Sequence, residues 1–328
     1  MNPCIIRLSR VAMGSEFQVI LVGDDREHLG EVAHYVLDEV EALEARLSHY
    51  RPDSEICDLN VRAAFEPVLM EWSIFELLRR CVEFSEQTDG AFDCTAGPLI
   101  RCWGFFRGQG KLAEPEAVQE ALAVVGSRLL ELNAAERTVR FRREGMQVHL
   151  GGIGKGYAVD EAVAWLRRLG VEAALVHGGT STIYALGAPP GQDAWEIGLR
   201  DPTDPEQRLG VVRLRDQALS TSGDYEQFFE VDGKRYSHIL DPRTGYPAVG
   251  MRSATVIAKS ATDTDALSTA AFVLGEEAAR RLCERYPGTG AVLVPAPGRN
   301  ESTEIVVLGD VDFTLRGGSP TTEETDSK

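Results

Sequence analysis

The sequence predicts an α+β fold with mixed and antiparallel sheets. Stretches of helical and of strand-like spacing follow one another without the strict alternation that a doubly wound parallel sheet requires. The half of the chain after His177 is dense in short strand-like runs separated by turn residues. No Pro/Gly/Ser-rich linker divides the chain before its polar end, and 43% hydrophobic residues over 328 positions supply one sizeable core.

Taken in order, Phe17 to Val22 is short, apolar and rich in β-branched residues, so it reads as a strand. Leu29, Val32, Ala33, Val36, Leu37, Val40, Leu43 and Leu47 then recur at helical spacing, with acids on the opposite face. Helices also fit Ser73 to Glu86 and Pro115 to Val125, the second with proline in its first turn. Thr138 to Arg143 and Gln147 to Leu150 read as a hairpin. Tyr157 to Leu169 is amphipathic, with Gly170 placed to cap it, and Val171 to Val176 follows as a buried strand. Strands are expected at Trp195 to Arg200, Val211 to Leu214, Glu226 to Val231, Arg235 to Ile239 and Ser253 to Ala258. Helices are expected at Asp263 to Leu274 and Glu276 to Arg285, then strands near Ala291 to Val294 and Glu304 to Leu308. Residues 317–328 are polar and without periodicity, and read as a disordered tail beyond a domain spanning 5–312.

Thirty-four Lys and Arg against 51 Asp and Glu give a net charge of −17, which argues against a general nucleic-acid binder and against docking on anionic membranes. An anionic substrate would have to meet positive charge gathered locally. No run reaches the ~18 apolar residues of a transmembrane helix, and no basic segment followed by an apolar run opens the sequence. A cytoplasmic location is therefore expected. The six cysteines form no C-x-x-C pair and lie within apolar patterns, which favours buried free thiols over zinc ligands or disulfides.

Four segments carry chemistry. HLGGIGKGYAVD, from His149 to Asp160, puts four glycines and Lys155 between a strand and a helix, where amides and the ammonium attract anions. It fails the P-loop pattern, since Gly156 follows Lys155 and His149 takes the first glycine's place. The alternative is a tight turn that needs glycine only for packing. In ATDTDALSTAAFVLG, from Ala261 to Gly275, Asp265, Ser268 and Thr269 fall at i, i+3 and i+4, on one helical face. That oxygen set suits Mg²⁺ or Ca²⁺. Helix capping, by Thr262 or Asp263, is the competing account. Thr221, Ser222 and Gly223 suit a hydroxyl-rich phosphate loop, and His238 precedes the turn Asp241-Pro242-Arg243-Thr244-Gly245, where it is a base, a phosphate contact or a structural residue. The stretch Thr88 to Phe105, dense in glycine and aromatics, reads as a folded loop over a ring system. There Asp93 would accept a hydrogen bond from a heterocycle, or simply lie in a buried loop.

The order of these segments resembles the ApbE family, the FAD:protein FMN transferases. The resemblance runs from about Val11 to about Leu308. It rests on Met13-Gly14; Leu47-Ser48-His49-Tyr50 with Ser54-Glu55-Ile56; Gly90-Ala91-Phe92-Asp93 with Thr95; and Trp103-Gly104-Phe105. It continues through GGIGKGYAVD, His177-Gly178-Gly179, Thr221-Ser222-Gly223-Asp224-Tyr225, Ser237-His238-Ile239-Leu240-Asp241-Pro242 and Thr264-Asp265-Ala266-Leu267-Ser268-Thr269. The resemblance implies a single domain of two lobes around an FAD cleft. It also implies Mg²⁺-dependent transfer of FMN from FAD to a Thr or Ser hydroxyl of a partner protein, with release of AMP. The partner would be a respiratory flavoprotein subunit carrying an Asp-x-x-Thr/Ser-Gly-Ala-Thr site. Some members instead hydrolyse FAD to FMN and AMP, and a non-catalytic flavin-binding protein is the third reading.

Carried over by position, Met13, Tyr50, Ala91, Phe92, Asp93, Lys155 and Ile239 contact FAD. His149 lies near the bound nucleotide, and Thr221 belongs to the phosphate-binding set. The metal ligands are the Gly152 carbonyl, Asp265, Ser268 and Thr269. His238 activates the acceptor hydroxyl or steadies the phosphate, and Asp265 serves catalysis through the metal. Where many members begin the glycine-rich segment with Asp, this chain has His149, which accepts at most one hydrogen bond.

Overall fold

The computed structural model describes residues 3–108, 110–204, 206–296 and 305–316. The chain opens with β1 (Cys4–Ala12) and β2 (Ser15–Gly23), paired antiparallel from Cys4↔Gly23 to Ala12↔Ser15. Met13 and Gly14 alone connect them, at φ 51° and 70°. Two successive positive φ values match the twist of a hairpin; glycine takes that geometry freely, methionine only under local constraint. The first strand was not expected, although its residues alternate between exposed and half-buried.

Helix α1 (Arg26–Leu47), capped by Asp25, buries Leu29, Val32, Ala33, Val36, Leu37, Val40 and Leu47. There follow α2 (Glu55–Arg62), β3 (Val68–Leu69), α3 (Trp72–Gln87), α4 (Gly97–Cys102) and α5 (Pro115–Leu122). Helix α4 lies inside the stretch expected to be a loop. Strands β4 (Leu130–Asn133) and β5 (Thr138–Phe141) pair with each other and β3, so the expected hairpin of 138–143 with 147–150 is replaced. Gln147 forms an isolated bridge to Ala96 in place of a hairpin ladder.

Helix α6 (Gly154–Arg168) leads to β6 (Ala173–Gly178) and β7 (Thr182–Leu186), then β8 (Trp195–Arg200) and β9 (Arg208–Leu214). Next come β10 (Gln217–Gly223), the hairpin β11 (Phe228–Val231) and β12 (Lys234–Ser237), and β13 (Met251–Ala258). Helices α7 (Ala261–Leu274) and α8 (Glu276–Arg285) precede β14 (Gly290–Pro295), β15 (Val306–Leu308) and β16 (Phe313–Leu315). The last strand pairs with β9 and buries Phe313, carrying packed structure past the expected boundary at 312. The expected tail, 317–328, lies outside the described residues.

Eight strands form one sheet in the order β1-β2-β6-β7-β10-β13-β14-β15, antiparallel throughout. Residues from α1 and α6 pack on one face with Val19, Leu21, Ala174, Val176 and Ala218. Farther along that face, Ala266, Leu267 and Ala270 of α7 meet Ala254 and Val256 of β13. The opposite face, through Leu175, Ile183, Leu219 and Ile257, is covered by Ile197, Leu199, Val212 and Leu214 of the small sheet β16-β9-β8. The architecture is α+β with antiparallel sheets, as expected. All six cysteines are free, but only Cys81 and Cys94 are fully buried. Among the described residues no helix is long and apolar enough to cross a membrane.

Candidate functional site

The sequence places glycine where α6 and α7 cross. A Cβ on Gly156 would lie 2.1 Å from the Ala261 carbonyl oxygen and 2.7 Å from Cβ of Asp265, so only glycine admits this approach. Ile153, the residue before α6, makes no side-chain cap. The cap comes from α7 instead: the Gly156 amide donates to Asp265 Oδ2 at 2.9 Å. The reverse arrangement holds at the start of α7. Asp160 of α6 accepts from the amides of Ala261 and Thr262 at 2.8 and 2.9 Å, and from the hydroxyls of Ser260 and Thr262 at 2.7 and 2.6 Å. Each helix thus lends a carboxylate to the other's unsatisfied amides. The N-cap of α7 is Ser260, accepting from Asp263, and neither Thr262 nor Asp263. Asp160 was missed because its partners lie a hundred residues away.

Asp265 is 6% exposed, and no ion pair is formed with it among the described residues. Burial pushes its carboxyl pKa up, opposed by the charge of Lys155 and the Gly156 bond. The hydroxyls of Ser268 and Thr269 donate to the Asp265 carbonyl at 3.0 and 3.3 Å. Ser222 Oγ lies 3.0 Å from Ser268 Oγ and 3.3 Å from Thr269 Oγ1. Gly152 joins them: a Cβ there would meet Thr269 Oγ1 and the Phe92 ring at 3.4 Å. A buried carboxylate and two hydroxyls presented by one helical face are oxygen donors of the type that suits a hard divalent ion. No cluster of three His, Cys, Asp or Glu offers a transition-metal alternative among the described residues.

A second region is built from rings. The His49 ring centroid is 3.8 Å from that of His149 and 3.9 Å from that of Tyr50; Phe106 lies 4.8 Å from Tyr50, and the Arg101 guanidinium stacks 3.6 Å above Phe106. Burial, the Arg101 charge and, for His149, His49 and Lys155 lower the imidazole pKa values to about 4 for His49 and about 3 for His149. His149 Nδ1 accepts from the Gly151 amide at 3.1 Å, so this nitrogen is the unprotonated one. Tyr50 is 55% exposed.

His238 follows β12. Ladder pairing of β11 with β12 puts Gln227 opposite it, and the Gln227 carbonyl sits 3.0 Å from both the His238 amide nitrogen and Nδ1. A carbonyl only accepts, so Nδ1 carries the proton and Nε2 keeps its lone pair. Burial, reinforced by Lys155, lowers this pKa to about 4.

A profile of the ApbE family matches residues 13–293. The chain is 38% identical, over 80% of its length and 77% of the relative's, to the FAD:protein FMN transferase of Treponema pallidum (strain Nichols). The chain belongs to the ApbE family. It is 34% identical to the FAD:protein FMN transferase of Klebsiella pneumoniae (strain 342), with 82% of each chain covered. The crystal structure of the ApbE protein of Thermotoga maritima superposes with a TM-score of 0.84 at 31% identity, covering 93% of this chain and 97% of that one. Pseudomonas stutzeri flavinyl transferase ApbE, apo form, gives 0.80 at 33% identity, covering 94% and 96%.

Within this ApbE fold, the expected residues divide. Gly152, Phe92, Lys155, Asp265, Ser268 and Thr269 converge, and Tyr50 and His149 share the ring cluster. Thr221 does not join them. Residues 217–223 are strand β10 and not a phosphate loop. Ser220 and Ser222 bond to α7, so alternation turns Thr221 to the other face, where its hydroxyl meets Thr255 at 2.9 Å. The period of two within the strand was the available signal. Asp93, 8% exposed, takes four hydrogen bonds, from Thr95 (amide and hydroxyl), Ser85 and the Ser127 amide, which fill its acceptor positions and make it the organiser of its loop. Ala91 is buried beside it. The Ile239 amide donates to Ser237 Oγ and its carbonyl accepts from Ala248. Met13 packs between two core clusters at its hairpin tip.

Proposed function

We propose that this chain transfers FMN from FAD to a Thr or Ser hydroxyl of an acceptor flavoprotein, with Mg²⁺ required and AMP released. The relatives named FAD:protein FMN transferase support the reaction class. The observation that carries it to these residues is the convergence on Lys155. Its charge opposes the protonation of His149 and His238 and favours the ionised form of Asp265, so one ammonium acts on all three groups. This is the local positive charge that an acidic chain needs for a pyrophosphate.

Mg²⁺ held by Asp265, Ser268, Thr269 and the Gly152 carbonyl would neutralise charge on the pyrophosphate and its leaving group. His238 is neutral at neutral pH, with the lone pair on Nε2; it takes the proton of the acceptor hydroxyl. The hydroxyl oxygen bonds to the FMN phosphorus as the bond from that phosphorus to the bridging oxygen breaks, and AMP leaves with that oxygen. Lys155 offsets charge building on the phosphoryl oxygens. His49, Tyr50, Phe106 and His149 present ring faces for the flat systems of FAD. Since the Asp93 carboxylate is filled, its segment would meet FAD through other atoms.

The test supplies purified protein with FAD, Mg²⁺ and a peptide bearing an Asp-x-x-Thr/Ser-Gly-Ala-Thr site. Covalently flavinylated peptide with one AMP per label is expected. Free FMN with unlabelled peptide replaces transferase by FAD pyrophosphatase, and FAD left intact leaves a flavin-binding protein.

A further inference from the structure

Strand β10 offers α7 two serines, and they are used differently. Ser220, 1% exposed, is bonded to Thr182 Oγ1 at 3.2 Å and to Thr264 Oγ1 at 2.8 Å. Thr264 in turn donates to the Ala261 carbonyl, so this cluster docks the sheet against the first turn of α7. Ser222, two residues on, reaches one turn farther along the helix. Its oxygen sits between the hydroxyls of Ser268 and Thr269, which are bound to the Asp265 carbonyl.

Proton accounting fixes what Ser222 does there. With the Ser268 and Thr269 protons on that carbonyl, Ser222 is the donor left for their oxygens, and its one proton serves Ser268 at 3.0 Å or Thr269 at 3.3 Å. Each hydroxyl oxygen has two lone pairs; one can receive Ser222 and the other faces away. A helical threonine otherwise divides between two rotamers, and serine is freer still. Ser222 therefore favours the orientation in which both hydroxyls stay bonded to the Asp265 carbonyl.

We propose that Ser222 is a positioning residue of the cation site, acting through Ser268 and Thr269. The inference rests on the proposed Mg²⁺ site. Partners that orient ligands from behind typically contribute a factor of about 10–100 in metal affinity. The hydroxyl is what matters, because the strand would be paired equally well by any small residue at this position.

The experiment measures Mn²⁺ binding to the full chain without FAD, by the electron paramagnetic resonance signal of free Mn²⁺. Ser222→Ala is expected to weaken binding about 10–100-fold, and Ser222→Thr to restore it. Ser220→Ala is expected to lower the unfolding midpoint with affinity kept, and Thr221→Val, on the other face, to leave affinity unchanged. Wild-type affinity in Ser222→Ala overturns the proposal; so does equal loss in Ser222→Ala and Ser222→Thr, which would mean packing alone. If Asp265→Asn binds Mn²⁺ as the wild type does, the cation site itself is misplaced. If Asp265→Asn loses binding and Ser222→Ala does not, only the role of Ser222 falls.

Discussion

The clasp of α6 and α7 and the ring cluster around His49 are built on opposite principles. The clasp sits on regular elements, with a glycine that admits no Cβ, one buried and one half-buried carboxylate, and hydrogen bonds between 2.6 and 3.3 Å. The ring cluster draws on His49, Tyr50 and Phe106 from connecting segments and on His149 ahead of α6, and leaves Tyr50 more than half exposed. Charge neutralisation depends steeply on distance, so it belongs on rigid backbone. Stacking tolerates sliding and tilting, so loops suffice for it.

The sharpest way to break the contrast is Gly156→Ala. The methyl group meets the Ala261 carbonyl and Cβ of Asp265, and the expected outcome is a loss of ~3 kcal/mol or more in urea unfolding, with flavin transfer lost as well. An ordinary unfolding midpoint would mean that the helices are free to part. Next is Asp265→Asn. Transfer should fall ~10²–10³-fold, as when a single electrostatic stabiliser is removed. Because burial favours the neutral form of this group, the same variant should unfold no earlier than wild type when divalent ions are chelated. A destabilised Asn variant would assign Asp265 to the fold first.

His238 feels the charge of Lys155, as His149 and Asp265 do. His238→Ala should lower kcat ~10²–10³-fold with FAD affinity kept; equal loss of both would make it a binding residue. The sign of its pH dependence follows from the depressed pKa. The neutral base persists below the ordinary 6.5, so kcat/KM should hold as the pH falls and give way only near about 4. An acid limb near 6.5 would point to another base. The smallest effect belongs to the rings: Phe106→Ala should weaken FAD binding by about 2–13-fold, ~0.5–1.5 kcal/mol, with the unfolding midpoint unmoved.

The sequence disclosed the clasp's chemistry better than its geometry. Asp265, Ser268 and Thr269 declared themselves because helical spacing is local, and the glycines around Lys155 because close approach leaves a compositional mark. Asp160 and Gln227 stayed hidden because each acts through pairing that the residue types do not announce, one with a helix a hundred positions away and one across a hairpin. In Thr221-Ser222 the residue types were read correctly and the face was not, since a segment read as a loop carries no period. Strand β1 and helix α4 were lost to weak patterns, one half-exposed edge strand and one six-residue helix. The antiparallel α+β class survived these losses because it rests on the mix of elements and not on any one of them.

The paired carboxylates also have a consequence for how the protein comes into being. Gly156 and Asp265 are separated by 109 positions, and Asp160 and Thr262 by 102. A nascent chain that has emerged only as far as β13 has α6 without the carboxylate that caps it, and lacks Asp265, Ser268 and Thr269 of the proposed cation site. Such long-range closure forms late in folding. A ribosome-bound fragment ending before residue 261 should therefore be blind to Mn²⁺. On the proposed reading, the site is completed only when α7 closes against α6.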